Sequence, residues 1–301
     1  MYLKAFIVAS LCCASCSFAT GCATTKKITA DILGKGQTLR KKIAFLPAVN
    51  SPGYGGEDFQ RAAAEQLRAF LSRRCNNLRI MDARNILKAL EDISRLPSGE
   101  IDNLALAKLG RVFGLSAVLN QTIGQMECLT DKRGIWGFRR TCRLARLSIR
   151  VRVYDIQTTA ILLDEIIKED VEVSEYDWSN IKKGNGYNEE IAYRLLAKMT
   201  AKTGNMICER LAEEPWKGYI ITGSDNTFTI SAGTDVGLVV GDALEVFGLG
   251  EPMKGQDGHI YLVSGPKIGE IRVTQVKGDR AEAAGVLGYD LEQSSFVRLK
   301  R

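Results

Sequence analysis

Between residues 41 and 214 the apolar positions alternate between a period of two and a helical period. Lys42-Ile43-Ala44-Phe45-Leu46-Pro47 is a short apolar run that predicts a strand, and Pro47 ends it because it has no N–H for a ladder. Gly and Pro at 51–56 make a loop. Phe59, Ala63, Leu67, Phe70 and Leu71 then recur at helical spacing through Arg74. Residues 78–81 predict another strand, and Asp82 caps a helix with Ile86, Leu90 and Ile93 on one face. Ser98-Gly99 breaks the chain, after which Ile101, Leu104, Lys108, Val112 and Phe113 mark a third helix that Gly114 stops. Three longer strands are expected at 117–127, 147–153 and 161–173. In the second, Leu147, Ile149, Val151 and Val153 alternate with Arg146, Ser148, Arg150 and Arg152. The third carries Asp164, Glu165, Glu169, Asp170 and Glu172, so cross-strand ion pairs are expected on a solvated sheet face. A helix over 189–211, with Ile191, Leu195, Met199 and Met206 on one side, can cover the apolar face.

After Pro215 the pattern changes. Helical periodicity disappears, and short strands separated by Gly and Asp are expected at 218–222, 227–230, 243–247, 267–276, 280–286 and 295–299. So many short strands in so little chain read as a small barrel or sandwich. The expected fold is α+β: an antiparallel or mixed sheet with helices packed on one face over 41–214, then a small all-β SH3-like barrel over 215–301.

The amino-terminal pattern is different again. Lys4 precedes a run of apolar and small residues that is too short for a bilayer, which needs about 20. This reads as a signal peptide over 1–21. It ends in Ala19-Thr20-Gly21-Cys22, which resembles a lipobox although Ala19 stands where Leu is preferred. The resemblance implies cleavage before Cys22, acylation of its thiol and two or three acyl chains, enough for firm anchoring, whereas one chain holds weakly. Cys16 is the rival site. Polar residues 22–40 then form a lipidated tether. Ala23, not Asp, follows Cys22, which by resemblance to enterobacterial sorting implies the outer membrane, facing the periplasm.

Composition adds mainly exclusions. Hydrophobic residues at 45% and charged residues at 25% are ordinary for a globular chain. The net charge of +6, which becomes +5 once Lys4 leaves, is mild and dispersed, and gives no reason to expect nucleic-acid binding. Four of the eight cysteines lie within residues 12–22, leaving Cys75, Cys128, Cys142 and Cys208 in the body. No CxxC or Cys/His spacing suggests a metal site, and no cofactor is expected. Cys128 and Cys142 flank a basic segment, 129–141, read as a loop, so a disulfide at its base is expected in an oxidising compartment. Two free thiols, or a pairing of Cys75 with Cys208, are the alternatives. The loop also holds Trp136, Phe138, Arg139 and Arg140, a candidate partner-binding set; exposed rings suit a partner or headgroup surface, and rings folded onto the sheet are the bland alternative.

Several of these segments resemble the CsgG family, the curli-assembly lipoproteins. They are the strand at 42–47, Leu78-Arg79-Ile80-Met81-Asp82, the helix-glycine-strand at 107–119, and the strand-turn-strand at 151–162 built on an Asp-x-x-Thr-Gly turn, where Thr159 replaces the glycine. The TolB amino-terminal domain and LpoB-type lipoproteins are similar to the same α/β unit. Residues 228–247 and 268–276 are similar to the carboxy-terminal domain of flagellar assembly protein T, with Gly233, Gly237 and Gly241 at tight reversals where positive φ is often required. Flagellar assembly protein T has a further amino-terminal domain for which this chain has no room.

Together these readings describe a non-enzymatic assembly or scaffold lipoprotein whose partners are the membrane, through its lipid, and other envelope proteins. Resemblance to the curli channel implies a homo-oligomeric ring. The alternative is a CsgG-like secretion channel subunit exporting an extracellular fibre. It needs hairpins of about 9–11 residues per strand with alternate positions facing lipid, a pattern absent from 129–141 and 176–188. An enzyme is not expected: His259 is the only histidine, sits in a Gly-rich loop and has no triad companions in the pattern.

Overall fold

The computed structural model describes residues 38–81, 86, 89, 94, 101–135, 137–183, 187–224, 226–256, 258–288, 291 and 294–300. Cys22 with the signal peptide, the tether and its rival Cys16, Trp136, and most of the helix expected after Asp82 lie outside them.

The first sheet takes β1 (Lys41–Phe45), β2 (Val49–Asn50), β3 (Leu78–Ile80), β4 (Leu115–Arg133), β5 (Arg140–Asp155) and β6 (Ile161–Glu172) in the order β3-β1-β4-β5-β6, with β2 on β4. β1 is parallel to both neighbours, and β4-β5-β6 is an antiparallel meander. The parallel end is covered on both faces, which is why every residue of β1 is buried. Even Lys41 and Lys42 are enclosed there, Lys41 by donating to the Leu211 carbonyl at 2.7 Å.

One face carries α1 (Gly56–Arg74) and α4 (Glu189–Glu213). α1 buries Phe59, Ala63, Leu67 and Leu71, with Glu57 and Asp58 in its first turn and Arg73 and Arg74 in its last, both favourable to the helix dipole. α4 starts at Asn188, whose side chain accepts from Ile191 N–H at 3.1 Å. Ile191, Leu195 and Met199 are buried in the core as expected, and Met206 packs against it partly buried beside the fully buried Ile207. α3 (Glu175–Lys183) occupies part of the 176–188 segment, which lacks the alternation of a lipid-facing strand.

α2 (Asn103–Phe113) begins at Asp102, whose carboxylate accepts from Leu104 and Ala105 N–H at 3.0 and 3.1 Å. Its inward face is Asn103, Leu106, Ala107 and Gly110, and Val112 points to solvent, so the apolar stripe expected through Leu104 and Val112 is displaced by one position. The cause is Ile156, which packs where a Gly110 side chain would be. Gly114 ends the helix at φ +69°, and a Cβ there would meet the Ser231 carbonyl. Gly114→Ala should therefore cost about 1–2 kcal/mol or more, seen as a lower urea midpoint with an unchanged slope; an unchanged midpoint would show that this approach is not tight.

The second sheet takes β7 (Ile220–Ser224), β8 (Thr227–Ile230), β9 (Ala243–Leu249), β12 (Ser264–Val276), β13 (Ala281–Gly288) and β14 (Ser294–Leu299), all antiparallel, in the order β14-β9-β12-β13-β8-β7. A small hairpin of β10 (Met253–Lys254) and β11 (Ile260–Tyr261) lies between β9 and β12. Gly218 and Val297 exchange backbone bonds of 2.9 and 2.8 Å, which curls the sheet so that its two ends meet. Gly237 and Gly241 have φ of +93° and +96°. Gly233 does not; it is small because the Lys277 and Gly278 carbonyls and Arg280 N crowd its Cα.

Leu39–Lys300 forms one compact unit. The first sheet and its helices hold one core, the curled sheet holds another with Leu39, and a third core joins Ala44, Leu46, Leu115, Val118, Tyr154 and Ile156 to Tyr219 and Phe296.

Candidate interaction site

The segment expected as a basic loop is a two-stranded ribbon. β4 and β5 stay paired out to Lys132–Thr141 and Arg133–Arg140, leaving only residues 134–139 as a turn. Directly opposite residues share a face and neighbours alternate. Thr130, Lys132, Thr141 and Arg143 therefore lie on one side, and Asp131, Arg133 and Arg140 on the other. At the tip, Gly134 and Gly137 take φ of +128° and +88°, and Phe138 N–H donates to the Ile135 carbonyl at 2.9 Å.

Phe138 is 83% exposed and Ile135 78%, so the Phe138 ring is not folded back onto the sheet. Arg139 is exposed beside it. Arg140 is engaged: its guanidinium grips Glu172 of β6 at 2.7 and 2.9 Å. The arm's apolar tip thus joins Phe138 to Ile135, a residue the sequence pattern left inside a charged loop without distinction.

The ribbon is held from below and from the side. Trp178 of α3 donates its indole N–H to the Leu129 carbonyl at 3.1 Å and carries Lys182 over its ring at 4.6 Å. Along β5 and β6, Arg146 meets Asp170 at 3.2 Å and Asp164 receives Arg150 at 2.6 Å and Arg152 at 3.3 Å, the cross-strand pairs expected from the alternating arginines. The Arg150 guanidinium, with Arg152, holds the Asp164 carboxyl below the usual carboxylate range against a smaller opposing effect of burial. Because the folded value is the depressed one, this contribution is present above about pH 4 and is lost as pH falls through the folded value. Asp164→Asn should flatten the acid limb of the stability curve, so that the thermal midpoint drops less between pH 7 and pH 3 than in the wild type; identical acid limbs would remove Asp164 from acid lability.

The disulfide expected at the base of the arm does not form. Cys128 stands opposite Ala145 and Cys142 opposite Asp131, three rungs apart and on opposite faces, so neither thiol can reach the other. Cys142 is buried, and Cys128, near the Trp178 carbonyl, has its thiol pushed up by burial. The bond joins Cys75, at the end of α1, to Cys208 of α4, with Cα atoms 5.7 Å apart.

A buried polar seam lies under the strand-turn-strand of β5 and β6. Asp155 accepts from Thr158 N–H at 2.8 Å and Oγ1 at 2.6 Å, and faces the Lys217 ammonium at 3.3 and 3.4 Å. Thr159 sits at φ +64°, in the left-handed region that favours glycine, and its hydroxyl donates to the Ile260 carbonyl. Gln157 reaches Ser264 at 2.7 Å, and Tyr219 is enclosed between the sheets, where burial drives its hydroxyl pKa up. Lys42 pairs with Asp235 at 2.8 Å and donates to the Ser231 and Asp279 carbonyls at 3.1 and 3.2 Å. The Asp155–Thr158 bonds fix the turn itself, while Asp155–Lys217, Gln157–Ser264, Thr159–Ile260 and Lys42–Asp235 tie distant segments of the fold together. A shallow groove of about 590 Å³ lies between α1 and α4, lined by Glu65, Phe70, Arg73 and Thr200. No group of His, Cys, Asp or Glu among the described residues is placed to hold a metal ion.

No family model and no curated protein matches the chain. Similar solved structures include a hypothetical protein of Chlamydia trachomatis, 15% identical over 56% of this chain and 99% of that one with a TM-score of 0.35. A lipoprotein of Neisseria meningitidis is 14% identical over 55% and 99%, with a TM-score of 0.31. TolB of Acinetobacter baumannii is 12% identical over 81% of this chain and 57% of that one, with a TM-score of 0.31. No described helix is long and apolar enough to cross a membrane.

Proposed function

We propose that this protein is a non-enzymatic lipoprotein of the bacterial outer membrane, anchored through acylated Cys22 and facing the periplasm, where it acts as an assembly or scaffold component. Its working surface is the arm, which captures another envelope protein; its curled carboxy-terminal sheet is an SH3-like barrel that stiffens the platform from which the arm projects. The observation that carries this reading is the tip itself. Ile135 and Phe138 stand almost fully in solvent at the end of a ribbon clamped by Arg140–Glu172 and by Trp178. Such exposure on a rigid mount favours a partner that covers it, and aromatic residues with neighbouring arginine suit the centre of an interface.

The secretion-channel alternative gains a hairpin from β4 and β5. Its outer rungs nevertheless carry Lys132 and Arg143 on one face and Asp131, Arg133 and Arg140 on the other, so neither face offers the apolar band a spanning strand needs. Purified protein in planar bilayers should show no stepwise conductance.

In vivo crosslinking followed by affinity capture tests the arm. Changing Ile135 and Phe138 together to Ser should reduce recovery of the crosslinked envelope partner roughly tenfold or more, as expected for loss of a central apolar anchor, while acyl labelling and folding stay unchanged. Undiminished capture would remove the arm from the mechanism. Acyl-chain labelling that persists in Cys22→Ala would move the anchor to another cysteine.

A further inference from the structure

We infer that the turn Val239-Val240-Gly241-Asp242 is a second membrane contact, which seats the anchored protein on the anionic lipid surface that holds its acyl chains. This rests on the lipoprotein reading above and adds to it a defined face of the fold.

The turn is built to present two valines outward. Val239 is 50% exposed and Val240 64%. Val239 N–H donates to the Asp242 carboxylate at 2.9 Å, Asp242 N–H returns to the Val239 carbonyl at 3.3 Å, and Gly241 N–H donates to the Val273 carbonyl at 2.9 Å. These bonds hold the turn, reached through Gly237 and Gly241 at positive φ, with both valines outward, while Val236 and Leu238 fill the core beneath them. Arg272, itself exposed, donates to the Gly241 carbonyl at 3.1 Å and places a guanidinium beside the apolar pair. Apolar side chains flanked by arginine match a surface with acyl chains below and phosphates above.

The chain's own path selects this occupant. Leu39 is buried in the core of the curled sheet with Val236 and Leu238, and Arg40 N–H donates to the Val236 carbonyl at 2.8 Å. The segment that begins at Cys22 therefore joins the fold, at Leu39, beside this turn. Residues 23–38 extend at most about 3.3–3.6 Å each, so acylation alone keeps the body near the bilayer without orienting it. Two valines would bind lipid weakly from solution, but tethering makes the encounter intramolecular and raises the effective concentration of the surface. The tether's exit and the exposed turn then work as two points of one seat.

A nitroxide at Val240→Cys in a Cys128→Ser background tests this, using the acylated full chain in phosphatidylethanolamine–phosphatidylglycerol vesicles. Collisions with an aqueous nickel chelate should fall several-fold relative to a label at Glu65→Cys on α1, while collisions with oxygen rise. Adding Val239→Asp should return the label at 240 to water. If the label at 240 stays aqueous on protein that floats with vesicles and is acylated at Cys22, the inference fails and the anchor stands. If the chain is neither acylated nor floats, the anchor reading fails and the inference with it. If the label is shielded in Cys22→Ala protein without vesicles, a segment of the chain itself covers the valines, which also overturns a membrane contact.

Discussion

Replacing Cys75 and Cys208 together by Ser should lower the unfolding free energy by about 5 kcal/mol in the chain-entropy model, given a separation of 133 residues. This is a large share of a typical domain's 5–15 kcal/mol. The bond ties the end of α1 to the carboxy-terminal part of α4, the two helices that together roof the apolar face of the first sheet, so its loss frees the roof as well as the unfolded chain. The wild type should show a large fall in urea midpoint on adding reductant, and the double variant should show none. Peptide mapping without reduction should find Cys75 joined to Cys208 and leave Cys128 open to alkylation. Equal midpoints for wild type and variant would mean the bond contributes nothing to stability.

Asp155→Ala should be nearly as damaging, costing about 3–5 kcal/mol, because it leaves a buried ammonium without its carboxylate. Lys217 is 5% exposed and Asp155 5%. The variant also strips the acceptor from Thr158 N–H, and with it the turn that carries β5 into β6. A double replacement, Asp155→Leu with Lys217→Met, should recover most of the loss, since removing both charges avoids the unpaired one. Thermal unfolding of the two variants decides it; if the single variant is as stable as the wild type, water reaches this seam and the pair is structural decoration. Because the two sheets share a core and these buried pairs, point substitutions such as these, and not deletion of residues 215–301, are the informative perturbations.

Much of the local structure was legible because it depends on neighbours in the chain. The helical period of α1, the stop of α2 at Gly114, the arginine-alternating β5 and the Gly-punctuated strands after Pro215 are all written within a few residues. The ion ladder followed as soon as β5 and β6 were recognised as adjacent antiparallel strands. The turn between β5 and β6 at Thr158-Thr159 was also legible.

What the sequence could not show was which distant groups meet. The arm was read as a loop because its charges and glycines mask a pairing that only the register of β4 on β5 reveals, and that same register separates Cys128 from Cys142. The choice of Cys75 and Cys208 required α1 to lie against α4. Lys42 and Lys217 are each buried against a carboxylate from elsewhere in the chain, partners that nothing local to them indicates. Thr159 holds a positive φ that favours glycine, and its hydroxyl reaches Ile260, a contact some hundred residues distant that glycine could not make. Periodicity, caps and turns are local energies, readable in order along the chain. Disulfide choice, buried charge pairing and the exposure of the arm and of the Val239 turn are decided by packing between elements, and exist only once the chain has closed on itself.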